Sequence, residues 1–168
     1  MANICLNALT ITGPAPILDQ FASFAVGVWP WIDWLTDPDD RVEVLAVTNF
    51  MPPVPAAARH DYTNYGHQWC NRVLGTRGAY QCERERPVPG RLVYQFNTAW
   101  CQLDEGVIAA MSSRFPRLKF VYEWDEPGDQ FEGEMVAAYG DVELTDSSAD
   151  EDYTGRLAGP PEKEDEVD

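Results

Sequence analysis

Six carboxylates crowd one short stretch of the chain: Glu123, Asp125, Glu126, Asp129, Glu132 and Glu134. Carboxylates at this density suit three kinds of chemistry. They could hold a hard divalent cation, act as paired acids in hydrolysis, or form a negative ridge that meets a surface built for phosphate. Asp125-x-x-x-Asp129 lacks the spacing of a calcium loop, and paired-acid hydrolysis needs a defined cleft. Alternate residues of a strand share a face, so Glu123 and Asp125 point one way, and Glu132 and Glu134 likewise share a face. The six are therefore read as an acidic, partner-binding face. The bland alternative is solubility. Residues 122–168 hold 17 acids and 2 bases, well beyond the net charge of roughly 2–8 that keeps a small domain soluble.

A second group is aromatic. Asn64, Tyr65, His67, Trp69 and Asn71 fall close together, and Trp100 is expected to join them. Tyr65, His67, Trp69 and Trp100 form an alternative partner-binding cluster, since Trp and Tyr are common anchors of interfaces and pockets. The same residues would serve equally to pack a loop onto a sheet, with Asn64 and Asn71 capping turns. Asp61 could orient His67, and Cys70 would share a helical face with His67 three residues away. Nucleophilic catalysis also requires oxyanion donors and often a third orienting group. No such constellation is visible, so no catalytic residue is assigned. With two histidines, and four cysteines (Cys5, Cys70, Cys82, Cys101) in no C-x-x-C pair, neither a metal site nor a disulfide framework is expected. No cofactor is expected either.

Charge is unevenly placed. Residues 1–100 carry 9 acids and 7 bases, whereas residues 101–168 carry 19 acids and 5 bases. Such a surface repels phosphate backbones and attracts basic partners. The expected partner is a basic host protein or nucleoprotein complex, with no direct nucleic-acid binding and no membrane. No basic residue or apolar core marks a signal peptide at the start, and no window approaches the roughly 18 apolar residues of a membrane span. A cytoplasmic location follows as the expectation.

These groups must be positioned by an α+β domain. Residues 3–12 alternate in polarity as a strand, with Cys5, Asn7, Leu9 and Ile11 on one face, and end at Gly13-Pro14. Ile17, Leu18, Phe21, Phe24 and Ala25 recur at helical spacing. Residues 27–40 hold Trp29, Trp31 and Trp34 together with Pro30 and Pro38 and read as an aromatic-rich insertion. Residues 41–48 alternate well enough for a strand, and residues 51–61 read as loop. A short helix is expected over His67–Leu74, closed by Gly75. Two strands, 79–86 and 91–98, are joined by Pro87-Val88-Pro89-Gly90. Residues 104–114 form a helix with Asp104 as N-cap. Strands follow at 118–124, 131–139 and 141–145. Residues 146–168 read as an acidic, flexible tail. The expected division is a domain over 1–145 and a tail over 146–168. The order suggests a ferredoxin-like antiparallel sheet with two helices on one face.

Several stretches, in order, resemble the YubB ferredoxin-like domain family of phage and plasmid proteins. They are Asn3-x-Cys5-x-Asn7-x-Leu9-x-Ile11-x-Gly13, Asn49-Phe50-Met51-Pro52-Pro53 and Asn64-Tyr65-Gly66-His67-Gln68-Trp69. Phe96-Asn97-Thr98-Ala99-Trp100, Phe115-Pro116-x-Leu118-x-Phe120 and Phe131-x-Gly133 complete the set. The chain departs from that pattern at Gln68, where a Lys is usual, and at Cys101-Gln102-Leu103, where a proline-rich turn is usual. The resemblance implies a ferredoxin-like fold and a mobile-element origin, and brings no catalytic residues. The function expected from charge and resemblance together is inhibition of a host nucleic-acid-binding or defence complex by a nucleic-acid-mimicking face. The alternatives are an assembly module using the sheet and Trp cluster, and an enzyme of unassigned chemistry.

Overall fold

The computed structural model describes residues 3–28, 42–76, 79–128 and 131–147. Trp29, Trp31 and Trp34, Asp129 and residues 148–168 lie outside them. What is expected there of the insertion, of Asp129 and of most of the tail is therefore not described.

The chain opens with β1 (Ile4–Thr12), whose alternation places Cys5, Leu9 and Ile11 inward. Helix α1 (Ala15–Ala25) follows at once, with proline in its first turn, and buries Leu18, Phe21 and Ala25. Proline is tolerated there because the first-turn N–H groups lack helical partners anyway. A two-stranded ribbon, β2 (Gly27–Val28) with β3 (Val42–Glu43), comes next. The strand expected over 41–48 shrinks to these last two residues, and Val47–Phe50 form a 3-10 turn. Leu45, Ala46 and Val47 are all enclosed in succession. The Ala46 N–H is donated to the Ala25 carbonyl at 2.7 Å and its carbonyl accepts from the Asn49 N–H at 2.9 Å, so bonds to the end of α1 and within the turn replace a strand ladder.

The stretch expected as loop holds a short helix, α2 (Ala56–His60), in which three alanines follow Pro55. A π turn (Tyr62–Gly66) leads into α3 (His67–Leu74), which has the expected bounds. Gly75 ends it in the left-handed conformation (φ +75°), which glycine adopts without steric penalty. The main hairpin is β4 (Ala79–Arg84) and β5 (Arg91–Ala99), followed by α4 (Glu105–Arg114). The Asp104 side chain accepts from the Gly106 N–H at 2.8 Å, capping α4 as expected. Strands β6 (Lys119–Glu126), β7 (Phe131–Ala138) and β8 (Asp141–Ser147) follow. β8 reaches two residues into the expected tail.

The sheet order is β4-β5-β1-β6-β7-β8, antiparallel throughout. Its first four strands with α1 and α4 make a ferredoxin-like unit, which β7 and β8 extend as a meander. Leu92, Tyr94, Phe96, Phe120 and Tyr122 join Phe21, Ile108 and Met111 in one core on the helical side. Phe21 sits at its centre, with the rings of Phe50, Tyr94, Phe115 and Phe120 all within 6.1 Å.

Candidate functional site

The acidic residues are set by the register of β6 against β7. Glu123 lies directly opposite Glu134, and Asp125 directly opposite Glu132. Glu123, Asp125 and Glu132 are exposed and Glu134 is half-buried, on the face away from the helices. Two like-charge pairs therefore stack in adjacent rows, about 5 Å apart across the strands and about 7 Å apart along them. The rows continue into β1, β5 and β4. Glu123 neighbours Ala8, which neighbours Gln95, which neighbours Glu83; Asp125 neighbours Leu6, which neighbours Asn97. An open groove of about 640 Å³ runs along this surface, lined by the four carboxylates with Leu6, Ala8 and Gln95. Leu6 is 49% exposed at its centre. Facing like charges repel across a sheet, an interaction of a few tenths of a kcal/mol or more per pair.

Glu126 does not belong to this face, contrary to expectation. It is only 1% exposed and points inward with Trp124, as strand alternation requires. Its carboxylate accepts from the Gly128 N–H at 3.2 Å and so helps shape the turn. Glu83 and Gln95, distant in sequence, are the members that the sequence pattern did not reveal.

The aromatic set is divided. Trp69, Cys70 and Leu74 are the buried side of α3. Tyr65, 55% exposed, and Trp69 line a cleft of about 240 Å³ together with Pro55, Ala58, Gln68 and Arg72. His67 is half-buried beside them in sequence. Trp100 does not line this cleft. It sits past the end of β5, 40% exposed, with its N–H donated to the Asn3 carbonyl and φ at +75°. Asp61, a candidate to orient His67, is engaged by Asn64: one oxygen accepts from the Asn64 N–H at 3.0 Å, the other from its amide at 2.7 Å. These bonds hold its carboxyl below the usual range. Cys70 is fully buried, and desolvation pushes its thiol up to about 12, which disfavours a nucleophilic thiolate there. Among the described residues no three His, Cys, Asp or Glu side chains converge as metal ligands.

The residues that carry the sequence resemblance have structural roles. Asn7 is buried on the inner face. Its amide nitrogen lies 2.9 Å from the Cys5 carbonyl and 3.0 Å from the Thr98 hydroxyl, and its oxygen accepts from Tyr122 at 2.6 Å. The Tyr122 hydroxyl in turn accepts from the Leu103 N–H at 2.8 Å, and the Thr98 hydroxyl donates to the Cys101 carbonyl at 2.6 Å. The Asn49 amide reaches the Phe24 and Val26 carbonyls, closing the end of α1. These side chains fix loops to the sheet.

The fold is that of a ferredoxin-like α+β domain with an open, acidic sheet face. The family model described as the ferredoxin-like domain in Api92-like protein matches residues 78–166, just over half of the chain, and the chain belongs to that family. Among solved structures it is similar to the protein api92 from Yersinia pseudotuberculosis, with a TM-score of 0.64 and 11% identity. That match covers 95% of this chain and 100% of the other. At that identity the likeness speaks for the fold alone. No curated protein matches the chain. Among the described residues, no helix is long and apolar enough to cross a membrane.

Proposed function

We propose that this chain is a non-catalytic accessory protein of a phage or plasmid. It docks its acidic sheet face onto the basic, phosphate-binding surface of a host nucleic-acid-binding or defence complex, in the bacterial cytoplasm, and blocks it. The observation that carries the reading is the pairing of Glu123 with Glu134 and Asp125 with Glu132 across two adjacent strands, on the sheet face away from the helices. Charge needed only for solubility has no reason to be placed in opposed rows, where like charges repel. Carboxylates on paired strands meet a phosphate-binding groove with their backbone already placed, so only side-chain rotamers are ordered on binding. Leu6 and Ile4, both exposed on the same face, supply an apolar centre within the charged rim. The mobile-element origin rests on the resemblance of residues 3–133 to the YubB family.

The test is capture from bacterial lysate at low and high salt. A basic, nucleic-acid-binding partner retained at low salt and lost near 1 M salt is expected, because screening removes contacts between exposed charges. A partner held equally at both would move the interface to the Tyr65 and Trp69 cleft and support an assembly module instead.

A further inference from the structure

The sheet has two edges, and they are treated differently. At the β4 edge the strand is broken by a bulge between Tyr80 and Glu83. Gln81 there takes a left-handed φ of +53°. The Leu45 backbone reaches the Cys82 thiol from the neighbouring segment, so this edge is both irregular and met by other chain. At the β8 edge no strand of the described residues pairs beyond Asp141–Ser147. Proteins usually blunt an open edge with charged side chains, Lys above all, or with Pro or a bulge; the charges of this edge are all acidic. Asp-Val-Glu-Leu-Thr-Asp-Ser holds neither Pro nor Lys, and its one irregularity, at Thr145, leaves Asp141–Leu144 in regular register.

The two faces of that edge differ in chemistry. Val142 and Leu144 lie opposite Ala137 and Met135, on the core side. Val142 packs against the core, whereas Leu144 is 54% exposed, with no further strand among the described residues to cover it. Asp141 and Glu143 are exposed on the other side. A second copy of this chain pairing edge to edge would set acids against acids, which is unfavourable. A strand with basic residues on one face and apolar residues on the other would pair its charges and cover Leu144.

We infer that the β8 edge is a strand-addition site for an extended segment that alternates basic and apolar residues. This rests on the proposal of a basic partner and specifies how the partner's backbone meets the sheet. Strand addition takes its affinity from main-chain hydrogen bonds and its selectivity from alternate side chains.

The probe is a seven-residue peptide alternating Lys and Val, blocked at both ends. Its companions are two versions N-methylated at all the lysines or at all the valines. Hydrogen exchange of β8 amides and affinity are both read on the full chain. Only every second amide of an edge strand points away from its neighbour, so slowing of alternate amides within 141–147 is expected on peptide binding. One of the two methylated peptides should bind at least about tenfold more weakly, since it loses several main-chain hydrogen bonds at once. Unchanged β8 exchange, or equal binding of both methylated peptides, overturns the inference. If the peptide then still binds, and binding is lost on reversing Glu123, Asp125, Glu132 and Glu134, the acidic face stands while the edge does not.

Discussion

Tyr122→Phe tests whether the buried polar network is a closed unit. The ring is fully buried, stacked on Phe96 with centroids 6.2 Å apart, and the substitution leaves that packing in place. What it removes is one oxygen with two partners, the Asn7 side-chain oxygen at 2.6 Å and the Leu103 N–H at 2.8 Å. Leaving a buried group unsatisfied costs about 1–3 kcal/mol. The Cys5 thiol, 3.8 Å from the Asn7 oxygen, offers a weak replacement for one of the two. The expected loss is therefore about 2–4 kcal/mol, within the stability of about 5–15 kcal/mol that domains possess. In urea the midpoint should fall by about 1–2 M with an unchanged slope. Combined with Asn7→Ala, the two losses should be markedly less than additive, as partners in one network are. A loss below about 0.5 kcal/mol, or strict additivity, would refute the network as described.

Burial raises the Glu43 carboxyl from 4.5 to about 7. The folded state therefore favours its neutral form, and its contribution is present below about pH 4.5 and lost as pH rises through 7. Glu43→Gln should thus leave the urea midpoint unchanged near pH 4 and stabilise by on the order of 1–3 kcal/mol at pH 8; equal effects at both would contradict the burial. Desolvation first of all pushes the thiols of Cys5, Cys70 and Cys82 up to about 12, so at pH 8 a thiol reagent should label them rapidly only after unfolding. Phe96→Ala should cost about 3–5 kcal/mol in urea unfolding; a cost under about 1 kcal/mol would mean the strand faces the other way.

Where one face of an element is buried, the sequence reports it. Leu9 and Ile11 alternate with half-buried neighbours, Ile108 and Met111 recur at helical spacing, and Asp104 stands where a cap is needed, so β1, α4 and the core were legible. Leu45, Ala46 and Val47 are enclosed on all sides, so the alternation read over 41–48 corresponds to no wet face and misleads. Glu126 was misplaced because its charge outweighed its position in the alternation, which puts it beside Trp124. The bond between Asn7 and Tyr122 joins residues 115 positions apart, and no local pattern announces such a pairing. The same holds for Glu83 and Gln95, which reach the acidic rows only through the register of β4, β5 and β1.

The docking of the acidic face is tested most directly by reversing Glu123, Asp125, Glu132 and Glu134 together to Lys. This moves the formal net charge from -16 by eight charge units. A matched control reverses Glu162, Glu164, Asp165 and Glu166 in the acidic C-terminal stretch, with the same change in charge. The measurement is affinity for the basic partner captured at low salt, alongside a urea midpoint to establish folding. The face variant should lose binding sharply, mainly through a slower association rate, while the control keeps it. Equal loss in both would reduce the effect to bulk charge, and no loss in either would contradict the acidic face as the docking surface.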